Sequence, residues 1–270
     1  MAPSDKFYTS RRNQRTIKNE VSLAGAGLFT GIKSEVTLCP ADEGSGIIFQ
    51  RTDLPNKPKM PALAEHVQAT PRCTILGSSN FRIQTVEHIL SAVKAYEIDN
   101  LLIKVQGPEV PICDGSALPF VELIEKSGLV TQSKTKKILH IESPIFWSKG
   151  EVQLVALPSD ELRISYTLSY PNSKLLRSQF FTTYIDQETF KSEIAPARTF
   201  SLYEEVVPLI EKGNIKGGRL DNAVIIKGDS ILNPEGVRYN DEMVRHKILD
   251  LIGDLCLVGT TFTCHIIAIR

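Results

Sequence analysis

The stretch VRHKILDLIGDL, Val244 to Leu255, carries apolar residues at Val244, Ile248, Leu251, Ile252 and Leu255. That spacing gathers them on one stripe of a helix with about 3.6 residues per turn. His246, Asp250 and Asp254 recur at every fourth position and therefore stack on one face. They lie about 200° around the axis from the stripe, at about 100° per residue. A helix is predicted here, one side packed into a core and another bearing an imidazole and two carboxylates. The polar row has two readings. His246 and Asp250 could simply hydrogen-bond while Asp254 is solvated, or they could be two ligands of a metal ion whose third ligand lies elsewhere.

The rest of the chain alternates strand and helix signals. EVTLCP, GIIFQR and LLIKVQG (101–107) read as strands between Gly- and Pro-rich turns. Thr85 to Tyr96 reads as a helix with Val86, Ile89, Leu90 and Val93 on its apolar face. Pro119 to Ser127 reads as a second helix, stopped by Gly128. The polar stretch TQSKTKK, Thr131 to Lys137, has no apolar residue and reads as a linker. It divides the chain into a first α+β domain, 14–130, and a second, 138–270. The second half restarts with KILHIE, EVQLVAL, ELRISYTLSY and SQFFTTYI as strands. A helix over 202–211, a glycine-rich turn in GNIKGGRLDNAVIIKG and a closing strand TCHIIAI follow. VEHILSAVKAYEIDNLLIKV and VRHKILDLIGDLCLVGTTFTCHIIAI both read as V-x-H, helix, turn, apolar strand. Two similar α+β domains are expected, each offering a histidine near the start of a helix.

Charge changes the picture only by exclusion. The 31 basic residues are balanced by 31 acidic ones, which leaves no footprint for nucleic acid or an anionic membrane. Arg11, Arg12, Arg15 and Lys18 form a short local cluster, expected to be a solvated arm. No apolar run approaches the roughly 20 residues of a membrane span. The opening MAPSDKFYTSRRNQRT lacks the apolar core of a secretory signal, so a cytoplasmic protein is expected. Cys39, Cys73, Cys113, Cys256 and Cys264 are odd in number and form no CxxC pair. They suit small buried side chains better than a disulfide framework or a cysteine-rich zinc module, so any metal must rely on histidine and carboxylate.

His88 is the candidate third ligand, with Glu87 beside it and Thr85 as the expected N-cap. Glu87 suits the first turn of a helix for dipole reasons alone, and His88 suits a core or capping role. His66 follows a loop, His140 alternates within a strand, and His265 lies inside a closing strand. His88, His246 and Asp250 together would make a two-histidine, one-carboxylate site with an open position. Glu87 would then stand beside it as a base. Spacing alone leaves that reading level with a pair of unrelated structural histidines.

The motifs TVEHILSA, GPEVPICDGSALPF, ARTF, GGRLDNAV and VRHKILDLIGDL occur in this order. Together they resemble the UDP-3-O-acyl-N-acetylglucosamine deacetylases, the zinc enzymes of lipid A biosynthesis, from about Gln14 to the last residue. The resemblance implies an α+β fold of two similar α/β sandwich domains, with helices packed between two β-sheets. It implies one catalytic zinc ion, with iron(II) as the alternative, bound by His88, His246 and Asp250. Glu87 is then the general base and Thr199 helps to hold the oxyanion. Phe200 lies beside an acyl passage, and Lys247 approaches the sugar and phosphates. Asp254 supports a histidine further downstream, in a Ser-Gly-His segment that the family carries after the strand matching TCHIIAI. The sequence ends at Arg270 before that segment, and His265 does not replace it. The implied partner is an acylated UDP-sugar, acted on by a monomer that neither binds nucleic acid nor spans a membrane. A non-catalytic nucleotide-sugar or metal-binding relative lacking the general acid is the alternative.

Three other motifs carry both a structural and a functional reading. Glu109 and Asp114 in GPEVPICDGSALPF fit a tight turn before a helix better than an acidic site. IKGGRL lacks the Lys-Ser/Thr of a phosphate loop, so Gly218 is expected to shape the substrate cleft. Tyr203, Val206 and Val207 suit either an acyl passage or plain core packing.

Overall fold

Five helices and five small sheets make up the computed structural model, which describes residues 7–69 and 72–270. The first six residues of the opening segment lie outside them. The helices are α1 (Glu87–Ala95), α2 (Leu118–Ser127), the single turn α3 (Gln187–Thr189), α4 (Tyr203–Glu211) and α5 (Glu242–Cys256). The class is α+β, as the element pattern predicts.

Two five-stranded sheets share one topology. The first runs Val21–Ala26, Lys33–Pro40, Leu101–Gln106, Ile47–Arg51, Lys59–Pro61. The second runs Ile145–Lys149, Val152–Leu157, His265–Ile269, Arg163–Tyr170, Arg177–Tyr184. In each, the last strand in sequence inserts at the centre, antiparallel to one neighbour and parallel to the other. A parallel neighbour needs a crossover connection, usually helical. In the first sheet α1 is part of that crossover, and in the second it is α5. The V-x-H, helix, turn, strand echo in the sequence is this shared topology.

Helices α1, α2 and α5 lie between the two five-stranded sheets. α5 packs on α1 and on the strands Arg163–Tyr170 and Arg177–Tyr184, while α2 packs on α1 and Val21–Ala26. Covered in this way, α1 buries every residue except Lys94. Ile89, Leu90 and Val93 are fully buried, each stabilising the fold by about 1.5–3 kcal/mol. In α5 the predicted stripe holds: Val244, Ile248 and Ile252 are buried, and Leu251 and Leu255 are partly so. No helix among the described residues is long and apolar enough to cross a membrane.

Two segments differ from the sequence reading. Thr131–Lys137, read as a linker, lies within the strand Leu129–Ile141, paired with Phe7–Ile17 on one side and Thr261–Thr263 on the other. Most of its side chains are exposed, and an antiparallel strand with a solvated face needs no apolar residue there. The basic arm is no arm either. Arg11, Arg12 and Arg15 belong to the strand Phe7–Ile17. Arg12 binds the buried Asp99 through both terminal nitrogens, at 2.6 and 3.1 Å, and Arg15 pairs with Glu97 at 2.8 Å.

Candidate metal centre

The first turn of α1 starts from a tied-down corner. Thr85 has φ +60°, a left-handed conformation uncommon outside glycine. Its hydroxyl donates to the fully buried Glu109 at 2.9 Å. Glu109 also accepts from the Phe29 and Thr30 amides and the Thr30 hydroxyl. Four donors satisfy a buried carboxylate, so Glu109 is a structural anchor. Thr85 is therefore not the N-cap: that position is Val86, with no side-chain cap. Asp114 likewise closes its own turn on Ser116 at 2.8 Å and pairs with Arg238.

From this corner Glu87 and His88 face α5. His246 Nε2 stands 3.3 Å from Asp250 Oδ1, and His88 Nε2 stands 3.8 Å from the same oxygen. One ligand atom from each residue lies within 4.8 Å of the others. A tetrahedral ion with arms of about 2.0–2.2 Å separates its ligands by about 3.3–3.6 Å. His246 Nδ1 meets the Ala197 carbonyl at 3.0 Å. With Nδ1 protonated as that bond requires, the lone pair sits on Nε2, the usual way a second partner orients a metal ligand. His88 Nδ1 is buried without any partner among the described residues. This donor set fits a divalent, borderline-soft ion with one position left open.

The electrostatics suit these three candidate ligands to a metal. Burial pushes the His88 imidazole down to about 4, helped by the neighbouring His246. Burial lowers His246 as well, against the pull of Asp250. Burial alone would raise Asp250, but His246 and Lys247 outweigh it and leave its carboxyl at about 2. Neutral imidazoles and an ionised carboxylate are the ligating forms. Lys247 donates to Asp250 Oδ2 at 2.7 Å, so it grips the far oxygen of this candidate ligand.

Glu87 lies beside this group, buried, accepting from the Thr74 amide at 3.0 Å. Burial, then the Asp250 charge, hold its carboxyl well above the usual range. The Thr74 hydroxyl donates to Asp254 at 2.7 Å. Asp254 is solvent-exposed yet flanked by protein, and with Asp250 nearby it is raised to about 6. One threonine thus fixes both carboxylates that flank the candidate ligands.

The ARTF segment reaches the site through its backbone. Ala197 supplies the carbonyl on His246. Thr199 uses its amide on Gly115 and its carbonyl on Val224, both at 2.8 Å, and its half-buried side chain is uncommitted among the described residues. Arg198 is buried and makes 2.8 Å and 3.2 Å bonds to Glu242, the fully buried first residue of α5. Sequence reasoning missed Thr74, Arg198 and Glu242. Only the position of Arg198 beside Thr199 hinted at it.

The residues expected along an acyl passage divide. A cavity of about 670 Å³ lies beside Cys73, with Phe29, Ile32, Ile75, Leu209 and Ile215 in its wall. Leu209 is the α4 residue that lines it. Val206 is buried, Tyr203 packs under the Lys227 ammonium, and Phe200 stacks edge-on with Tyr170. Gly218 is exposed, and a Cβ there would meet the Ile215 side chain at 2.6 Å. Its neighbour Gly217 crosses so close to the Gly27 carbonyl that no side chain would fit.

Comparison with known proteins identifies the family of the whole chain. Residues 14–270 match the family model described as UDP-3-O-acyl N-acetylglycosamine deacetylase. The chain is 47% identical over 259 residues to the UDP-3-O-acyl-N-acetylglucosamine deacetylase of Chlamydia pneumoniae, covering 96% of this chain and 92% of that protein. It is 45% identical over 258 residues to that of Chlamydia felis, with the same coverage. The Chlamydia trachomatis serovar L2 protein of that name is 42% identical, with 96% and 90% covered.

Proposed function

The chain belongs to the UDP-3-O-acyl N-acetylglycosamine deacetylase family, and from that membership we propose its reaction and its site. It removes the acetyl group from the 2-acetamido nitrogen of UDP-3-O-(hydroxyacyl)-N-acetylglucosamine, giving the amine and acetate in lipid A biosynthesis. It works in the cytoplasm with one zinc ion held by His88, His246 and Asp250. The observation that carries the site assignment is the convergence of those three side chains beside the buried Glu87.

When bound, zinc supplies a Lewis acid for the amide carbonyl and lowers the pKa of water. The chain does the rest. Glu87 takes the proton of the attacking water, and its raised pKa makes it a stronger base than an exposed carboxylate. The Thr199 hydroxyl donates to the oxyanion as it develops. Lys247 keeps Asp250 oriented and charged. Asp254, steadied by Thr74, orients the donor that protonates the departing amine. The cavity edged by Leu209 and Ile215, whose wall also carries Arg72, Arg82 and Lys216, receives the acyl chain along its apolar side, each buried CH₂ contributing about 0.8 kcal/mol.

Acetate release by the zinc-loaded protein tests this reading, with the acylated sugar nucleotide set against UDP-N-acetylglucosamine. The acylated compound should have much the higher kcat/KM. Equal values would remove the acyl passage. Zinc binding without acetate release would leave a sugar-nucleotide binding protein.

A further inference from the structure

The cleft between the far ends of α1 and α5 takes no part in the reaction above. It encloses about 690 Å³, within the range of small-molecule sites. Lys94, Arg12 and Lys136 reach into it from three elements. Asp99 accepts from Arg12 at 2.6 Å and stands 3.1 Å from Lys136, while Arg15 and Glu97 in the same lining pair with each other at 2.8 Å. Lys94 has no carboxylate within salt-bridge reach and no hydrogen-bond acceptor among the described residues. Its ammonium instead lies 4.5 Å from the Phe262 ring centroid. Arg12 Nε is a buried donor without a hydrogen-bond acceptor among the described residues, with Glu97 Oε1 standing off at 3.5 Å. Unmet donors in a recess are costly unless an acceptor enters.

The lining fixes the class of acceptor. Apolar side chains, among them Leu63, Ile98, Ile138 and Phe262, cover the wall beside the cations. The outer rim carries Asp160, Glu161, Asp186 and Glu188, all exposed. Positive charge inside and negative charge at the rim disfavour a free dianion such as phosphate. They admit a single negative charge carried on an apolar body. We propose that this cleft is a second ligand site, which binds an aliphatic carboxylate with its charged end between Lys94 and Lys136 and its chain along Phe262 and Leu63.

Calorimetric titration of the full zinc-loaded chain with octanoate tests this, with octan-1-ol and inorganic phosphate as the other arms. Octanoate should bind saturably, and the uncharged alcohol and phosphate each at least about tenfold more weakly. Lys94→Met keeps the aliphatic stem and should weaken octanoate binding by about tenfold or more, with acetate release unchanged. Lys136→Met should weaken it in the same direction, which provides a second readout should Lys94→Met fold poorly. Octanoate affinity within twofold of wild type in both variants would overturn the proposal. So would octanoate acting only as a competitive inhibitor of turnover, since that places it in the catalytic cleft. Phosphate binding as tightly as octanoate would remove the apolar half of the site and overturn it equally.

Discussion

Gly253 of α5 lies against the backbone of Glu87 so closely that a Cβ there would sit 2.1 Å from the Glu87 carbonyl oxygen. The contact falls between Asp250 and Asp254 on one helix and at the first turn of the other. It is the point at which the two helices come near enough to merge their polar residues into one site. No rotamer relieves a clash with backbone, so any side chain at 253 must push α1 and α5 apart.

Gly253→Ala should therefore destabilise the protein although it favours the helix. The propensity gain is about 1 kcal/mol, while forced overpacking costs about 1–3 kcal/mol and sometimes more. Displacing Glu87 and His88 from Asp250 should also lower zinc content. A variant as stable as wild type, with a full complement of zinc, would show that the helices have slack there.

How far the site was legible follows from where its determinants lie. The stripe and polar row of α5 could be read because both repeat with the helical period inside one segment. The pairing of His88 with that row could not, since no periodicity links residues on different helices; the ordered motifs and their resemblance supplied it. The repeat of topology was visible as two similar helix-to-strand stretches, because each central strand follows its helix in sequence. Thr131–Lys137 was misread because its strand is half solvated, so polarity there reflects exposure and not an absence of structure. The bond between Arg198 and Glu242 left no local signal, being a tertiary contact between a loop and a helix start.

That ion pair should matter for both stability and metal. Arg198 ties the segment bearing the Ala197 carbonyl to α5, and Glu242 has no water to fall back on. Breaking a buried pair from one side typically costs about 3–5 kcal/mol. Glu242→Gln should lose roughly that in denaturant unfolding and bind zinc more weakly. The double change Arg198→Met, Glu242→Met should be milder than either single methionine change, because no buried charge is stranded and Glu235, the other carboxylate on Arg198, is exposed to water. Additive losses would count against the pair acting as a unit.

For zinc held as proposed by His88, His246 and Asp250, the pH dependence of its retention follows from the pKa directions of these groups. His88 falls from 6.5 to about 4 and Asp250 from 3.8 to about 2. Folded-state values below the unfolded ones mean stabilisation that is present above the unfolded pKa and lost as pH falls toward the folded one. Zinc content at fixed chelator should therefore hold through pH 6.5 and fall only as pH approaches about 4. Half-release above about pH 6 would mean that these imidazoles titrate like exposed ones.

Glu87 offers the sharpest separation of structure from chemistry. As a first-turn carboxylate it would contribute about 0.3–1 kcal/mol through the helix dipole. Burial works against that, because a carboxyl whose pKa is raised in the fold destabilises the folded state at pH values above its ordinary 4.5. Glu87→Gln keeps the size and an oxygen for the Thr74 amide while removing the charge that burial disfavours. Its unfolding midpoint should match or slightly exceed wild type, and its zinc content should be nearly unchanged. What it lacks is a group able to take a proton, so acetate release should fall by about 10²–10⁴-fold. The measurement is kcat on zinc-loaded protein, with metal content and unfolding recorded on the same samples. Near-full kcat would make Glu87 a buried structural carboxylate and pass the role of base to Asp254, the other carboxylate that Thr74 holds in place.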